Sequence, residues 1–207
     1  MRKPTGPSPL DPFIPEPDID ERFAIRIRAP APFVLEVAPG MDLQSLPLVR
    51  LIFRLRERFM GATPPPRVAQ GLLPELLGLG WGILIDRPGR LIAGGAACQP
   101  WKADVVFRAI EPERFASYAE PEQVKIAWTF EAEPMGPAGT RFKTETRAVA
   151  TDRLARIRFR RYWRWARFGI VAIRLLLLPA IRREAERQWG SRAGHRDSSA
   201  ETQGSRP

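Results

Sequence analysis

The sequence predicts an α+β fold in which a curved antiparallel sheet wraps around one long C-terminal helix. Three observations predict it. Residues 123–133 and 140–150 each alternate apolar with charged or polar side chains, a proline- and glycine-rich turn separates them, and an arginine-studded apolar stretch follows Asp152. A period of two sends successive side chains to opposite faces of a strand, whereas apolar residues three and four apart share one face of a helix.

Taken in order, residues 1–20 are rich in Pro, Asp and Glu and read as a disordered tail, residues 21–189 as one domain, and residues 190–207 as a second disordered tail. Phe23, Ile25 and Ile27 alternate with Arg26 and Arg28, which marks a half-buried strand. Leu43, Leu46, Val49, Leu51, Ile52, Phe53, Leu55 and Phe59 are spaced for a helix from about Asp42 to Met60. A hairpin is expected from Trp81–Ile85 and Leu91–Ala96, joined by the turn-forming Asp86-Arg87-Pro88-Gly89. A further strand is expected over Asp104–Ile110, with Val105 and Phe107 on one face.

The clearest strands follow. Val124, Ile126, Trp128 and Phe130 share a face with Phe142, Thr144, Thr146 and Ala148. Lys125, Thr129, Glu131, Glu133, Arg141, Lys143, Glu145 and Arg147 occupy the other, which reads as the wet side, with opposed charges pairing across strands. Asp152 can cap the last helix, expected through about Leu178 and resuming after Pro179. One stripe of that helix holds Phe159, Tyr162, Trp163, Ala166, Ile170, Ile173 and Leu177, and another holds Arg153, Arg160, Arg164, Arg167 and Arg174.

The composition narrows the function classes. A net charge of +10 over 207 residues attracts phosphates in general. Lysine occurs only at Lys3, Lys102, Lys125 and Lys143, however, and the arginine excess with heavy Ala, Gly and Pro matches the codon usage of a GC-rich bacterial genome. Nucleic acid is therefore disfavoured as a partner, while peripheral contact with an anionic membrane stays compatible with the arginine stripe. Cys98 is the single cysteine, so no internal disulfide forms, and the N-terminal stretch has no secretory h-region; a cytoplasmic location is expected. The apolar run from Phe168 to Ile181 falls short of the roughly 20 residues a bilayer needs and is broken by Arg174 and Pro179, so it reads as a buried helix.

The run Ile25-Arg26-Ile27-Arg28-Ala29-Pro30-Ala31-Pro32, with Phe33 and Val34, resembles the opening strand and Ala-Pro step of the START-like, or SRPBCC, superfamily, which includes polyketide cyclase/dehydrase-like proteins. The hairpin from Ala127-Trp128-Thr129-Phe130-Glu131 to Glu145-Thr146-Arg147, then Asp152 ahead of Phe159-Arg160-Arg161-Tyr162-Trp163, is similar to the late hairpin and helix entry of its bacterial members. The resemblance covers about Glu21 to Arg187 and implies a helix-grip fold that encloses a lipid- or polyketide-like ligand. One departure stands out: Pro39 and Gly40 close the segment opened by Pro32 after about two turns, so the early helix is expected to be short or split.

No catalytic constellation is present. The only histidine, His195, lies in the expected C-terminal tail, which removes the base from Ser-His-Asp and Cys-His chemistry and leaves no His or Cys metal cluster. The turn Asp86–Arg90 has nothing of a phosphate-binding loop, and no cofactor is called for. General acid–base work by Glu145, Asp104, Tyr118 or Tyr162 stays open as a cyclase- or dehydratase-type alternative, with Glu145 more simply a cross-strand ion pair. The expected ligand-binding residues are Trp81, Ile83, Phe107, Trp128, Phe130, Phe142, Thr144, Thr146, Tyr162 and Ala166. The aromatic ones equally suit a solid core; the two threonines favour a pocket, because a buried hydroxyl needs a partner. No feature of the chain specifies an oligomeric state.

Overall fold

The computed structural model of the chain describes residues 6–41 and 71–203. The helix expected over residues 42–60 lies outside them. The described elements are β1 (Ile19–Ile27), α1 (Ala31–Val37), a 3-10 turn (Ala38–Gly40), α2 (Leu72–Gly78), β2 (Gly82–Arg87), β3 (Leu91–Cys98), α3 (Pro112–Phe115), β4 (Val124–Pro134), β5 (Thr140–Ala150) and α4 (Arg153–Gln203). The strands form one antiparallel sheet in the order β1-β5-β4-β3-β2, and with the long last helix this is the helix-grip arrangement expected.

The central hairpin begins and ends close to where the alternation places it. β4 and β5 pair with Phe130 opposite Thr144 and Trp128 opposite Thr146, and β1 adds Phe23 opposite Thr144. Those side chains share the inner face, where Ile27, Phe33, Val34, Trp128, Phe130, Phe142, Leu177, Leu178 and Ile181 form the largest buried cluster. The short α1 closes at the 3-10 turn as Pro39 and Gly40 require, and its Phe33 ring lies 5.3 Å from Trp189 of α4. The turn between β2 and β3 is closed by the Arg90 N–H donating to the Arg87 carbonyl at 3.0 Å, with Gly89 at φ 71°.

Five expectations need correction. Residues 1–20 were expected to be a tail, yet Leu10 and Ile14 are fully buried and β1 already starts at Ile19. They join Leu84, Ala93, Ala97, Ile110, Phe115 and Ala127 in a second cluster on the outer side of the sheet. The face expected to be wet is consequently covered at its centre: Glu145 is 7% and Arg147 3% exposed. Arg147 Nε donates to Glu145 at 2.7 Å, Ser8 Oγ donates to the same carboxylate at 2.7 Å, and Arg147 Nη1 donates to the Ile14 carbonyl at 2.7 Å. Arg22 reaches Glu145 at 3.2 Å, so the buried charges compensate one another. Lys125 is buried there too; burial lowers its pKa, and its ammonium donates to the carbonyls of Phe115 and Ala116 at 3.0 and 2.8 Å. Only toward the turn does the face behave as expected, where Lys143 meets Glu131 and Glu133 at 3.5 and 3.0 Å.

The strand expected at Asp104–Ile110 is absent but for a single bridge between Ala97 and Arg108. β2 already occupies the free edge of β3 from Leu91 to Gly95, which leaves only the end of that edge to pair. The last helix runs unbroken through Pro179 to Gln203, so it does not pause at Pro179 and residues 190–203 are helical. The run from Phe168 to Ile181 is not uniformly buried: Leu177, Leu178 and Ile181 are, whereas Phe168 and Leu175 are exposed. No helix among the described residues is long and apolar enough to cross a membrane.

Asp152 caps α4 as expected. Its Oδ1 accepts the Ala155 N–H at 2.7 Å and its Oδ2 accepts the Glu122 N–H at 2.5 Å, which also holds Glu122 in its left-handed conformation at φ 57°. The bond from Ala155 first, then that from Glu122, lowers the Asp152 pKa below the ordinary aspartate range.

Two predictions follow from this packing. Leu10→Ala is expected to lower unfolding stability by about 2–5 kcal/mol in urea titrations, against less than about 0.5 kcal/mol for a residue in a disordered tail. A carboxylate with a depressed native pKa stabilises the fold fully above its unfolded pKa, near 3.9, and loses that contribution as pH falls through the native value. Melting temperatures followed from pH 5 downward should therefore fall more steeply in the wild type than in Asp152→Asn, which keeps a capping oxygen but cannot titrate.

Candidate functional site

The candidate site lies between the inner face of the sheet and the middle of α4. Two anchors hold that helix. At its start Ala155 and Phe159 are buried against Val124, Ala148 and Ala150; further on Leu177, Leu178, Ile181 and Ala185 are buried in the main cluster. No α4 residue between Phe159 and Leu177 is fully buried, although Ala166, Ile170 and Ile173 lie on the same helical line as the anchors. At 1.5 Å per residue the span between the fully buried anchors is roughly 27 Å long, and its sheet-facing residues are only partly buried. Opposite it, Ile126 and Thr146 are only partly buried.

Arg174 reaches the sheet at the edge of this span. Its Nη1 donates to Thr144 Oγ1 at 3.0 Å, its Nη2 donates to Thr146 Oγ1, and the guanidinium carbon lies 5.6 Å from the centre of the Phe23 ring. Desolvation lowers the Arg174 pKa to about 10, with Glu21 opposing the shift, so the group is cationic at neutral pH. Glu21 sits in register with Thr146, but among the described residues no carboxylate closes on Arg174 to ion-pair distance. Each threonine hydroxyl accepts from the guanidinium and keeps its own proton to donate elsewhere.

The expected residues divide among several places. Trp128, Phe130 and Phe142 lie together in the main cluster, with ring centres 5.2 Å apart for Trp128–Phe130 and 5.6 Å for Phe130–Phe142. Trp81 packs against the same cluster and stacks on Phe107 at 4.9 Å, which brings Phe107 to the site from a loop instead of a strand. Ile83 is partly buried in register with Gly94, itself opposite Trp128. Thr144 and Thr146 stand over Arg174. Tyr162 instead packs at the first anchor beside Phe159, and Ala166 is partly buried between the anchors.

Two polar atoms at this cluster have no hydrogen-bond partner among the described residues: Trp128 Nε1 and Trp81 Nε1. A buried, unpaired donor or acceptor costs about 1–3 kcal/mol, so such groups commonly mark a place where something else binds. Trp128 lies flat on β3 because Gly94 has no side chain; a Cβ there would stand 2.5 Å from the indole Cζ2 and 2.7 Å from Cε2. No three His, Cys, Asp or Glu side chains among the described residues gather as a metal site requires.

Arg174 is the residue that pattern reading missed as part of the site. Helical spacing puts it in the stripe of Arg153, Arg160, Arg164 and Arg167, yet it is also the one charge inside the apolar run from Phe168 to Ile181, and that is the available signal.

No protein-family model and no curated protein sequence matches the chain. Among solved structures, DR_A0006 from Deinococcus radiodurans is similar at 16% identity and a TM-score of 0.29, over 73% of this chain and 99% of that one. CalU16 from Micromonospora echinospora is similar at 14% identity and a TM-score of 0.28, over 83% and 86%. Neither brings a residue role to this chain.

Gly94→Ala tests the seating of Trp128. Overpacking should lower stability by about 1–3 kcal/mol and alter the tryptophan emission of the native state, as measured by urea titration and fluorescence.

Proposed function

We propose that the protein binds a small, largely apolar molecule between the sheet and the middle of α4, with an acidic or strongly hydrogen-bond-accepting end turned to Arg174. The observation that carries this reading is a cation without a carboxylate partner, fixed by Thr144 and Thr146 beside a span of helix whose sheet-facing residues are only partly buried. An apolar lining with a few convergent polar groups is the ordinary composition of a small-molecule site. Trp81, Trp128, Phe130 and Phe142 supply the lining, and the unpaired indole N–H groups add donors for a polar substituent. The resemblance to START-like proteins supports the same class of ligand, lipid- or polyketide-like.

A charge-assisted hydrogen bond is worth about 1.5–3 kcal/mol, and a tenfold change in affinity is 1.4 kcal/mol. A medium-chain fatty acid should accordingly bind at least about tenfold more tightly than the alcohol of the same chain length in calorimetric titrations. Arg174→Met should bring the two to parity without abolishing the alcohol's binding. Equal affinities in the wild type, or no uptake of either probe, would sink the proposal. Native mass spectrometry of gently purified protein should show a co-purified apolar molecule.

A further inference from the structure

The side of α4 turned away from the sheet carries a second apolar stripe that the fold does not use. Leu154, Ile157, Trp165, Phe168 and Leu175 are all exposed, Trp165 at 72% and Phe168 at 69%. At 3.6 residues per turn they fall on one face, opposite the line of Ala155, Phe159, Leu177 and Ile181 that meets the sheet. The helix is amphipathic on two sides, so it can keep its grip on the sheet while its outer stripe meets something else.

Charge identifies what that is. From residue 153 to residue 183 the chain has no Asp or Glu. Arg156 and Arg160 reach Asp18, and Arg158 reaches Glu122, but Arg153, Arg161, Arg164 and Arg167 are exposed and have no acidic partner among the described residues. Two of these stand beside the exposed rings, Arg164 at 6.0 Å from Trp165 and Arg167 at 5.7 Å from Phe168. Together with Arg160 and Trp163 they border an open groove of about 410 Å³.

We infer that this face docks on a bilayer containing anionic phospholipid, with α4 lying in the plane of the surface. Trp165 and Phe168 enter the boundary between headgroups and acyl chains, and the unpaired arginines meet lipid phosphates. The stripe from Leu154 to Leu175 is roughly 32 Å long, which suits a helix lying along a surface. Leu154, Ile157 and Leu175 give a nucleic acid nothing to recognise, and pairing this face with a second copy would set arginine against arginine with no carboxylate to relieve the repulsion.

The test uses the full chain and vesicles of phosphatidylcholine alone or with roughly one third phosphatidylglycerol. Sedimentation with the anionic vesicles should exceed that with neutral ones by about tenfold, weaken as salt rises, and be accompanied by a blue shift of tryptophan emission. Trp165→Ser with Phe168→Ser should lower binding by about tenfold or more while leaving the unfolding midpoint nearly unchanged, since both rings are exposed. Arg164→Gln with Arg167→Gln should weaken binding and flatten its salt dependence. Equal binding to neutral vesicles, failure to sediment, or unaltered binding by the Trp165/Phe168 variant would each overturn the inference. So would a dimer in light scattering that the same variant dissolves, or preferential binding of nucleic acid over the anionic vesicles.

Discussion

The two-ended anchorage of α4 on the inner face of the sheet is the constraint on which the rest of the molecule depends. A helix of 51 residues extends far beyond what an eleven-residue strand can cover, and helices in water owe most of their stability to packing. Phe159 and Ala155 fix one end. Leu177, Leu178, Ile181 and Ala185 fix the other, backed by α1, whose Phe33 meets Trp189 and lies 4.6 Å beneath Arg192. Glu186 adds a polar tie by accepting the Arg28 N–H at 2.9 Å. Between the anchors the sheet-facing side chains are only partly buried, and the backbone stays helical on its own hydrogen bonds. Pro179 removes one of those bonds, but it stands among buried neighbours at the second anchor, where tertiary packing offsets the loss.

The same physics explains what could be read from the sequence. The faces of β4 and β5 were legible because strict alternation has only one register that buries Trp128, Phe130 and Phe142 together. Asp152 was legible as a cap because a short acidic side chain before an apolar-periodic stretch has few other uses. Polarity misled at Lys125, Glu145 and Arg147, which lie on the charged side of the alternation but are buried. What covers the last two, with Leu10, Phe13 and Ile14, is a proline-rich segment without periodicity, so nothing in its pattern announced a packed layer. The inner site was half legible: its aromatic lining follows from alternation, but Phe107 arrives through a loop and Tyr162 is carried to the anchor by helix geometry.

Arg174 and Arg147 show that residue type says little until the surroundings are known. Arg147 is nearly inaccessible, yet its charge is balanced by Glu145 and by Asp11 at 2.8 Å, with the Ile14 carbonyl accepting a further bond. That arrangement is closed, since charge and donors are both used within the fold. Arg174 has hydroxyls and an aromatic face for company but no carboxylate at contact distance, and desolvation depresses its pKa. The first is a structural cation and the second has electrostatic capacity left over. A site for an acidic group needs the latter.

A similar contrast separates the two apolar faces of α4. Burying a large apolar side chain contributes about 1.5–3 kcal/mol, and Phe159 realises that on the sheet side while Trp165 and Phe168 do not on the outer side. Singly exposed apolar residues are ordinary on any surface. Five on one helical face, with unneutralised arginines beside them, form a stripe instead. Folding stability does not account for such a stripe, because replacing those rings by polar groups would remove little packing from the described chain. The inferred docking surface would supply what the fold leaves unmatched, a medium apolar at one depth and negatively charged at another, since a phospholipid surface presents those two properties a few ångströms apart.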